Sequence, residues 1–196
     1  TGPGSVAEGS PGSFTATVAN LPPTVTAVAG LSAEEGSPAT LTLASFADAG
    51  ALDTHTATVD WGDGSPAEAA TVDAAANTVS GTHAYAGDGV FTVTVAVTDD
   101  DGKSASGGFT ATVSNLPPVV TAATELSAFE LWAAPLTLAT FTDSGALDTH
   151  TAAVDWGDGS PPSAATVQES GGAGRVTGAH AYAVPGEYRG TVTVSD

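Results

Sequence analysis

The chain has 196 residues, of which 22 are acidic and 3 basic, giving a formal net charge of −19. Such a polyanion repels nucleic acid and anionic lipid headgroups, and no apolar run reaches the roughly 18 residues of a membrane span, so both nucleic-acid binding and membrane insertion are excluded. The 41% of hydrophobic residues excludes wholesale disorder, and the 24 glycines and 12 prolines, with no cysteine, predict short strands, tight turns and no disulfides.

The first predicted element is a strand that belongs to no complete domain. Residues 14–20 (FTATVAN) match residues 109–115 (FTATVSN), which end the repeat described next. The alternate residues Phe14, Ala16 and Val18 form its apolar face. We interpret residues 1–19 as the final strand and linker of a preceding repeat, or of a repeat in a neighbouring chain.

An internal repeat of about 95 residues follows. Aligning residues 20–67 with residues 115–162 gives 34 identities in 48 positions without a gap. Each copy opens with NLPP, whose paired prolines predict a short, stiff joint. We therefore predict one domain at 20–114 and a second at 115–196. The second ends at Asp196, the counterpart of Asp99, and so lacks its last strand.

Within each repeat the apolar residues recur with a period of two. Residues 91, 93, 95 and 97 are apolar, while threonine occupies positions 92, 94 and 98. This alternation predicts strands with one dry face and one wet face, which pack as antiparallel sheets. The sequence therefore predicts an all-β chain of two tandem immunoglobulin-like β-sandwiches.

Both repeats share a motif of a tryptophan followed by a glycine-rich turn and, further along the chain, a His-Ala-Tyr triplet. The tryptophan predicts a buried core anchor, and the Gly-Asp-Gly segment predicts a turn with positive φ at glycine. We interpret the polar members as scaffold residues. The motif residues are Asp60, Trp61, Asp63, His83 and Tyr85 in the first repeat, and Asp155, Trp156, Asp158, His180 and Tyr182 in the second.

The segments at 59–65 (VDWGDGS), 83–85 (HAY) and 89–99 (GVFTVTVAVTD), together with their counterparts in the second repeat, resemble the PKD (polycystic kidney disease) domain family. The resemblance implies an immunoglobulin-like β-sandwich and an extracellular or cell-surface location, in surface proteins, adhesins or secreted enzymes. Residues 46–57 resemble the variety arrayed in very large bacterial surface proteins. The family has no catalytic residues of its own, so we predict that the chain is not an enzyme.

Calcium is the ligand that the acidic residues favour. Asp99, Asp100 and Asp101 place three carboxylates in one turn, and hard cations prefer several oxygen ligands. The alternative is a solvated hairpin tip. A second polar cluster fits either a transition-metal site or a hydrogen-bonded loop. It occurs in both repeats, as Asp48, Asp53 and His55 and as Asp143, Asp148 and His150.

The two repeats differ most at a short apolar segment. Phe129, Leu131 and Trp132 of the second repeat replace glutamate, glycine and serine of the first. Exposed apolar patches with aromatic anchors mark contact surfaces, so we predict an intermolecular interface there. The alternative is local repacking against a neighbouring domain.

These features together predict a non-catalytic structural repeat of an extracellular rod, filament or adhesin stalk. Its partners are copies of itself or adjacent repeats, joined head to tail by strand completion, with a surface protein or polysaccharide as a further partner. The missing strand comes either from the same polypeptide or from another chain. The alternative function is a carbohydrate- or protein-binding accessory module of a secreted enzyme.

Overall fold

The computed structural model describes residues 13–196, which form two β-sandwiches in tandem. The predicted all-β immunoglobulin-like fold is confirmed. In residues 13–196 no helix has the length and apolar character needed to cross a membrane.

The first sandwich contains eight strands. They are β1 (Thr24–Ala27), β2 (Leu31–Glu34), β3 (Ala39–Ala47), β4 (His55–Asp60), β5 (Glu68–Asp73), β6 (Thr78–His83), β7 (Gly89–Asp99) and β8 (Ser104–Ser114). The hydrogen-bonded order is β1-β3-β6-β5-β4-β7-β8-β2. Strand β5 links the two sheets, because its first half pairs with β4 and its second half with β6.

The predicted antiparallel pairing holds for every strand pair of this sandwich except one. Strand β2 runs parallel to β8, with Leu31 opposite Ala111 and Glu34 opposite Ser114. The parallel pairing arises because β2 leaves the β1 sheet and crosses to the edge of the opposite sheet. It places the residue after β2, Glu35, beside the end of β8, where the Glu35 N–H donates to the Ser114 carbonyl over 3.2 Å.

The alternating pattern of β7 builds the core as predicted. Val93, Val95 and Val97 are fully buried, while Thr92 and Thr94 on the other face are exposed. They pack in one cluster with Trp61 and with the inward residues of β8. Burying a side chain of this size stabilises the fold by roughly 1.5–3 kcal/mol, so this layer holds the two sheets together.

The second sandwich contains six strands. They are β9 (Val119–Ala122), β10 (Leu136–Thr142), β11 (Thr151–Asp155), β12 (Ser163–Ser170), β13 (Ala173–Gly178) and β14 (Thr191–Ser195), in the order β14-β11-β12-β13-β10-β9. This order repeats that of the first sandwich without counterparts of β2 and β8. Within residues 13–196, β14 therefore pairs on one side only, with β11.

The strand predicted at 14–18 does not form. Residues 13–23 have no regular secondary structure, because they pair with neither sheet of the described chain, and the side chains of Phe14 and Val18 are each 91% exposed. The earlier part of the predicted segment, residues 1–12, lies outside the described residues.

The two sandwiches meet at a joint formed by loops. The N–H of Leu147, in the loop before β11, donates to the carbonyl of Ala86 over 3.1 Å. The N–H of Leu116, in the second NLPP segment, donates to Oε1 of Glu35 over 2.6 Å. Gly36 lies so close to the second domain that a Cβ atom on it would be 2.6 Å from the Ser144 carbonyl oxygen.

Candidate functional site

The tryptophan motif forms a scaffold at one end of each sandwich. Trp61 is 1% exposed, and the His83 ring stacks on it at a centroid distance of 4.8 Å. His83 Nε2 lies 2.8 Å from Oδ2 of Asp63, and the Tyr85 hydroxyl donates to the Trp61 carbonyl over 3.2 Å. Burial, aided by the charge of Asp63, raises the pKa of Tyr85 to about 12. Tyr85 is therefore a neutral hydrogen-bond donor in the core.

The second repeat builds the same arrangement. His180 stacks on Trp156 at 4.8 Å, its Nε2 lies 2.8 Å from Asp158 Oδ2, and the Tyr182 hydroxyl donates to the Trp156 carbonyl over 3.3 Å. Asp155 accepts from the N–H of Gly157, as Asp60 does from that of Gly62. Each of these side chains is committed to bonds within the motif. Their placement therefore agrees with the scaffold interpretation.

Asp63 offers a test of this scaffold through its pH dependence. Burial alone would raise the pKa of Asp63, but hydrogen bonds from Ser65 and from His83 outweigh it and lower the pKa. A depressed folded-state pKa stabilises the fold fully above the unfolded value near 3.9, and this contribution is lost as the pH falls through the folded pKa. We expect Asp63→Ala to cost about 2 kcal/mol at pH 7, since charged hydrogen bonds are lost, and clearly less near pH 2.

Urea unfolding of both forms at the two pH values measures this difference. Asp73→Ala is the matched control, because Asp73 also caps a turn, through the N–H groups of Ala75 and Ala76, but has no histidine partner. An equal loss for Asp63→Ala at both pH values would contradict the assigned role of the carboxylate.

The three aspartates predicted to bind calcium do not converge on one point. Asp99 points into the sandwich, in phase with the buried valines of β7, whereas Asp100 and Asp101 are exposed. Of these three aspartates only Asp99 belongs to a group whose ligand atoms lie within 4.8 Å of one another, and its companions there are Asp48 and Asp53. Calcium binding at Asp99, Asp100 and Asp101 stays a prediction.

Asp99 also anchors the linker that precedes its domain. The side-chain amide of Asn20 donates to Asp99 Oδ2 over 2.8 Å, and Asn115 donates to Asp196 Oδ2 over 2.9 Å in the second repeat. The asparagine of each NLPP segment is thus tied to the end of β7 or β14. This hydrogen bond therefore restrains each NLPP segment in addition to the stiffness that its two prolines provide.

The histidine clusters are hydrogen-bonded loops in both repeats. His55 Nε2 lies 3.0 Å from Asp48 Oδ2, and His150 Nε2 lies 3.0 Å from Asp143 Oδ2. His150 has a second partner, since its Nδ1 lies 2.6 Å from Glu169 Oε2. Both ring nitrogens of His150 are thus hydrogen-bonded, which favours the loop interpretation in the second repeat, whereas among residues 13–196 only Nε2 of His55 has a partner. The transition-metal alternative stays a prediction, since ligand atoms of Asp143, His150 and Asp196 lie within 4.8 Å of one another.

A further carboxylate cluster lies between the two domains, and the sequence analysis did not identify it. Oxygen atoms of Glu35, Asp88 and Asp148 lie within 4.8 Å of one another. Glu35 and Asp88 belong to the first domain and Asp148 to the second. Glu35 is 0% exposed, and neither its Oε2 nor Asp148 Oδ2 has a hydrogen-bond partner. The repeat comparison gives no signal for this cluster, because Glu130, the counterpart of Glu35, is exposed.

The predicted apolar interface is a small exposed hairpin. Phe129 and Trp132 form an isolated bridge, and their rings stack at 5.8 Å. Between them Leu131 is 76% exposed and has a φ of 57°. A left-handed backbone costs a non-glycine residue roughly 1–2 kcal/mol. In the single chain this cost is not offset by burial of the leucine.

Comparison with known proteins identifies one family. The PKD domain model matches residues 20–114. A search of curated proteins gives no match. Similar solved structures include carbohydrate-binding modules of the β-sandwich superfamily, at 13% identity and a TM-score of 0.37, covering 90% of this chain and 85% of that one.

Two structures of multidomain proteins are also similar. The Dpr2 Ig1–Ig2 structure in complex with DIP-Theta is 14% identical with a TM-score of 0.36, covering 89% of this chain and 63% of that one. Protocadherin Gamma B2 domains 3–6 are 13% identical with a TM-score of 0.34, covering 89% and 43%. The chain thus spans less than two thirds of the length of each of these two structures. The first domain, residues 20–114, thus matches the PKD domain family.

Proposed function

We propose that this chain is a non-catalytic structural repeat of an extracellular rod, filament or adhesin stalk, assembled end to end by strand completion. One observation carries the proposal. The second sandwich leaves the outer edge of β14 unpaired, while an exposed segment at 14–18 repeats the sequence of the strand that covers the same edge in the first sandwich.

The first sandwich shows what that strand contributes. Strand β8 pairs with β7 over ten residue pairs and buries Phe109, Ala111 and Val113 in the shared core. Without a counterpart, the second sandwich divides its core into two smaller clusters. The apolar layer of the second sandwich is thus incomplete along the edge that β8 covers in the first.

In the second sandwich, the residues that correspond to the first half of β7 do not form a strand. Strand β7 spans Gly89–Asp99, but β14 spans only Thr191–Ser195, and residues 186–190 are irregular. Tyr188 occupies the place of Phe91 and is partly exposed. A pairing strand would supply the hydrogen bonds that these residues need to become extended.

The register of the first sandwich transfers directly. Phe109, Ala111 and Val113 lie opposite Val93, Phe91 and Gly89. With the repeat offsets, Phe14 would lie opposite Gly190, Ala16 opposite Tyr188 and Val18 opposite Gly186. Burying Phe14 and Val18 would contribute roughly 3–6 kcal/mol. Either a covalently adjacent repeat or a neighbouring chain can supply such a strand.

We also propose specific binding partners and a location for the chain. Copies of this chain, or adjacent repeats, are the partners at the edge of β14. The hairpin of Phe129, Leu131 and Trp132 is an intermolecular contact, since its exposure and the strained backbone of Leu131 have no benefit in an isolated molecule. The location is extracellular or on the cell surface, as is typical of PKD domains.

Strand completion can be tested by mutating the two faces of the donor segment. We expect the full chain to form head-to-tail oligomers or fibres, and Phe14→Glu with Val18→Glu to abolish them, because two charges would enter an apolar core. Thr15→Glu with Thr17→Glu is the matched control, since these residues face outward in the equivalent strand. Analytical ultracentrifugation and negative-stain microscopy give the readout.

Assembly by the wild type and by the threonine variant, but not by the Phe14 and Val18 variant, would support the proposal. If all three proteins remain monomeric over a wide concentration range, donation between chains is wrong. If all three assemble equally, assembly does not use this strand.

The alternative, a carbohydrate- or protein-binding accessory module, is favoured by the exposed stacked rings of Phe129 and Trp132. The hollow beside them has a volume of about 100 Å³, whereas ligand pockets in proteins are typically roughly 300–1,000 Å³. Because the hollow is too small for a typical ligand, a sugar would have to bind by stacking on the exposed aromatic rings. Titration of soluble polysaccharides against Trp132 fluorescence, with Trp132→Ala as the control, distinguishes it from the structural function.

A further inference from the structure

The joint between the two domains contains charges that the protein itself does not neutralise. Glu35 is fully buried, its Oε1 accepts the Leu116 N–H, and its Oε2 has no partner. Asp148 approaches from the second domain with its own unpartnered Oδ2, and Asp88 completes the group. A buried carboxylate without compensation is strongly unfavourable, so the buried Glu35, with the half-buried Asp148 and the exposed Asp88 beside it, favours a counter-charge at this place.

No basic side chain provides that counter-charge in the described part of the chain. The whole sequence has only three lysines and arginines. Within residues 13–196 the ion pairs all involve histidine, and none of them includes Glu35, Asp88 or Asp148. Glu35, Asp88 and Asp148 lie close enough together to repel one another when they are charged, so they destabilise one another in the absence of a cation.

We propose that Glu35, Asp88 and Asp148 together bind one divalent cation, of which Ca²⁺ is the best match, and that this ion fixes the orientation of the two domains. The donor set contains oxygen only, and Ca²⁺ takes six to eight oxygen ligands from carboxylates, carbonyls and water. Mg²⁺ retains its waters more strongly and demands a stricter octahedron. The site does not depend on strand completion, because its ligands come from the joint between the two domains of one chain and not from the edge of β14.

The consequence for the joint follows from where the ligands come from. Two of them belong to loops of the first domain and one to the loop at 143–149 of the second. Binding can occur only when the domains are held as in the structure, so the ion stabilises that orientation over all others. Without the ion, repulsion between the carboxylates favours separation of the two loops.

Calcium titration of the full chain tests the binding. We expect a site with a dissociation constant on the order of 0.1–1 mM, as in extracellular modules, measured by isothermal titration calorimetry. Glu35→Gln and Asp88→Asn should each weaken this site at least tenfold. Asp88 is exposed, so its variant is expected to fold even if Glu35→Gln does not. Glu130→Gln is the matched control, since Glu130 is the repeat counterpart of Glu35 and is exposed.

A second readout reports on the joint itself. Because the chain has no cysteine, Thr58→Cys and Ala153→Cys, two exposed and equivalent strand positions, can carry spin labels. We expect the distance distribution between the labels to narrow when Ca²⁺ replaces a chelator, and to stay broad in the Asp88→Asn background. Mg²⁺ should narrow it less than Ca²⁺.

Three outcomes would overturn the proposal. The first is the absence of any calcium binding in the millimolar range. The second is binding that is unchanged in both Glu35→Gln and Asp88→Asn, which would place the ion elsewhere, for example at Asp99. The third is binding that is lost in these variants while the distance distribution never responds to Ca²⁺, which would leave an ion without control of the joint.

Discussion

Replacing Trp61 with alanine should destabilise the first domain by about 3–5 kcal/mol, a cost typical of removing a large aromatic residue from a core. Trp61 is 1% exposed, and it packs with Leu43, His83 and Tyr85 in the largest buried cluster. Its indole N–H also donates to Glu68 Oε1 over 2.7 Å. The lost packing accounts for most of the cost, because the Glu68 side chain is 51% exposed and water can replace the indole N–H.

The measurement is urea unfolding followed by circular dichroism, with Trp156→Ala as the comparison. Trp156 has the same position in the second repeat, but it packs in a smaller buried cluster. A domain has a total stability of only about 5–15 kcal/mol, so the Trp61 variant should unfold its domain at low urea or at room temperature. A loss below about 1 kcal/mol would contradict the assignment of Trp61 as the core anchor.

The second large effect is expected at Gly62, the residue after the tryptophan. Gly62 has a φ of 77°, and a Cβ atom there would lie 2.3 Å from the Thr92 carbonyl oxygen of β7. Gly62→Ala therefore combines a left-handed backbone with a clash against main-chain atoms that cannot move away. We expect the free energy of unfolding to fall by roughly 3 kcal/mol or more in total. The backbone conformation alone would account for only roughly 1–2 kcal/mol of this loss.

Gly64 supplies the matched control two residues away. Its φ is 87°, but a Cβ atom on it would meet nothing within 4 Å. Gly64→Ala should therefore cost only the backbone component, about 1–2 kcal/mol. Thermal unfolding of both variants separates steric from conformational effects. Equal losses would show that the close approach of β7 does not determine the choice of glycine at position 62.

Much of the fold could be predicted from the sequence because it follows from local periodicity. The alternation at 91–97 identifies the buried face of β7, and the repeat assigns the same fold to both halves. The parallel pairing of β2 with β8 could not be predicted, since the short apolar pattern at 31–34 does not specify a partner strand. The chain crossing between sheets becomes visible only in three dimensions.

The sites were less predictable from the sequence, because they too depend on contacts between residues that are distant along the chain. The run of Asp99, Asp100 and Asp101 suggests a cluster within the sequence, yet the period of two sends Asp99 inward and Asp100 outward. Asp99 continues the phase of Val93, Val95 and Val97, so the inward direction was available in the pattern. The joint cluster was not available, because Glu35 and Asp148 come from different domains and meet only through their packing.

The difference between Gly36 and Leu131, its counterpart in the second repeat, makes the contact surfaces of the two domains different. Both residues have positive φ, and both donate their N–H to the tyrosine carbonyl of their own repeat, over 2.8 and 2.9 Å. Gly36 lies so close to the second domain that only a hydrogen atom fits in place of a side chain. Leu131 has a full side chain at the matching position, and Pro185 is the counterpart of Asp88. In the proposed end-to-end assembly, a further domain would therefore not contact the second domain as the second contacts the first. We expect successive contacts in such an assembly to alternate between two kinds, with a pair of domains as the smallest unit that stacks identically.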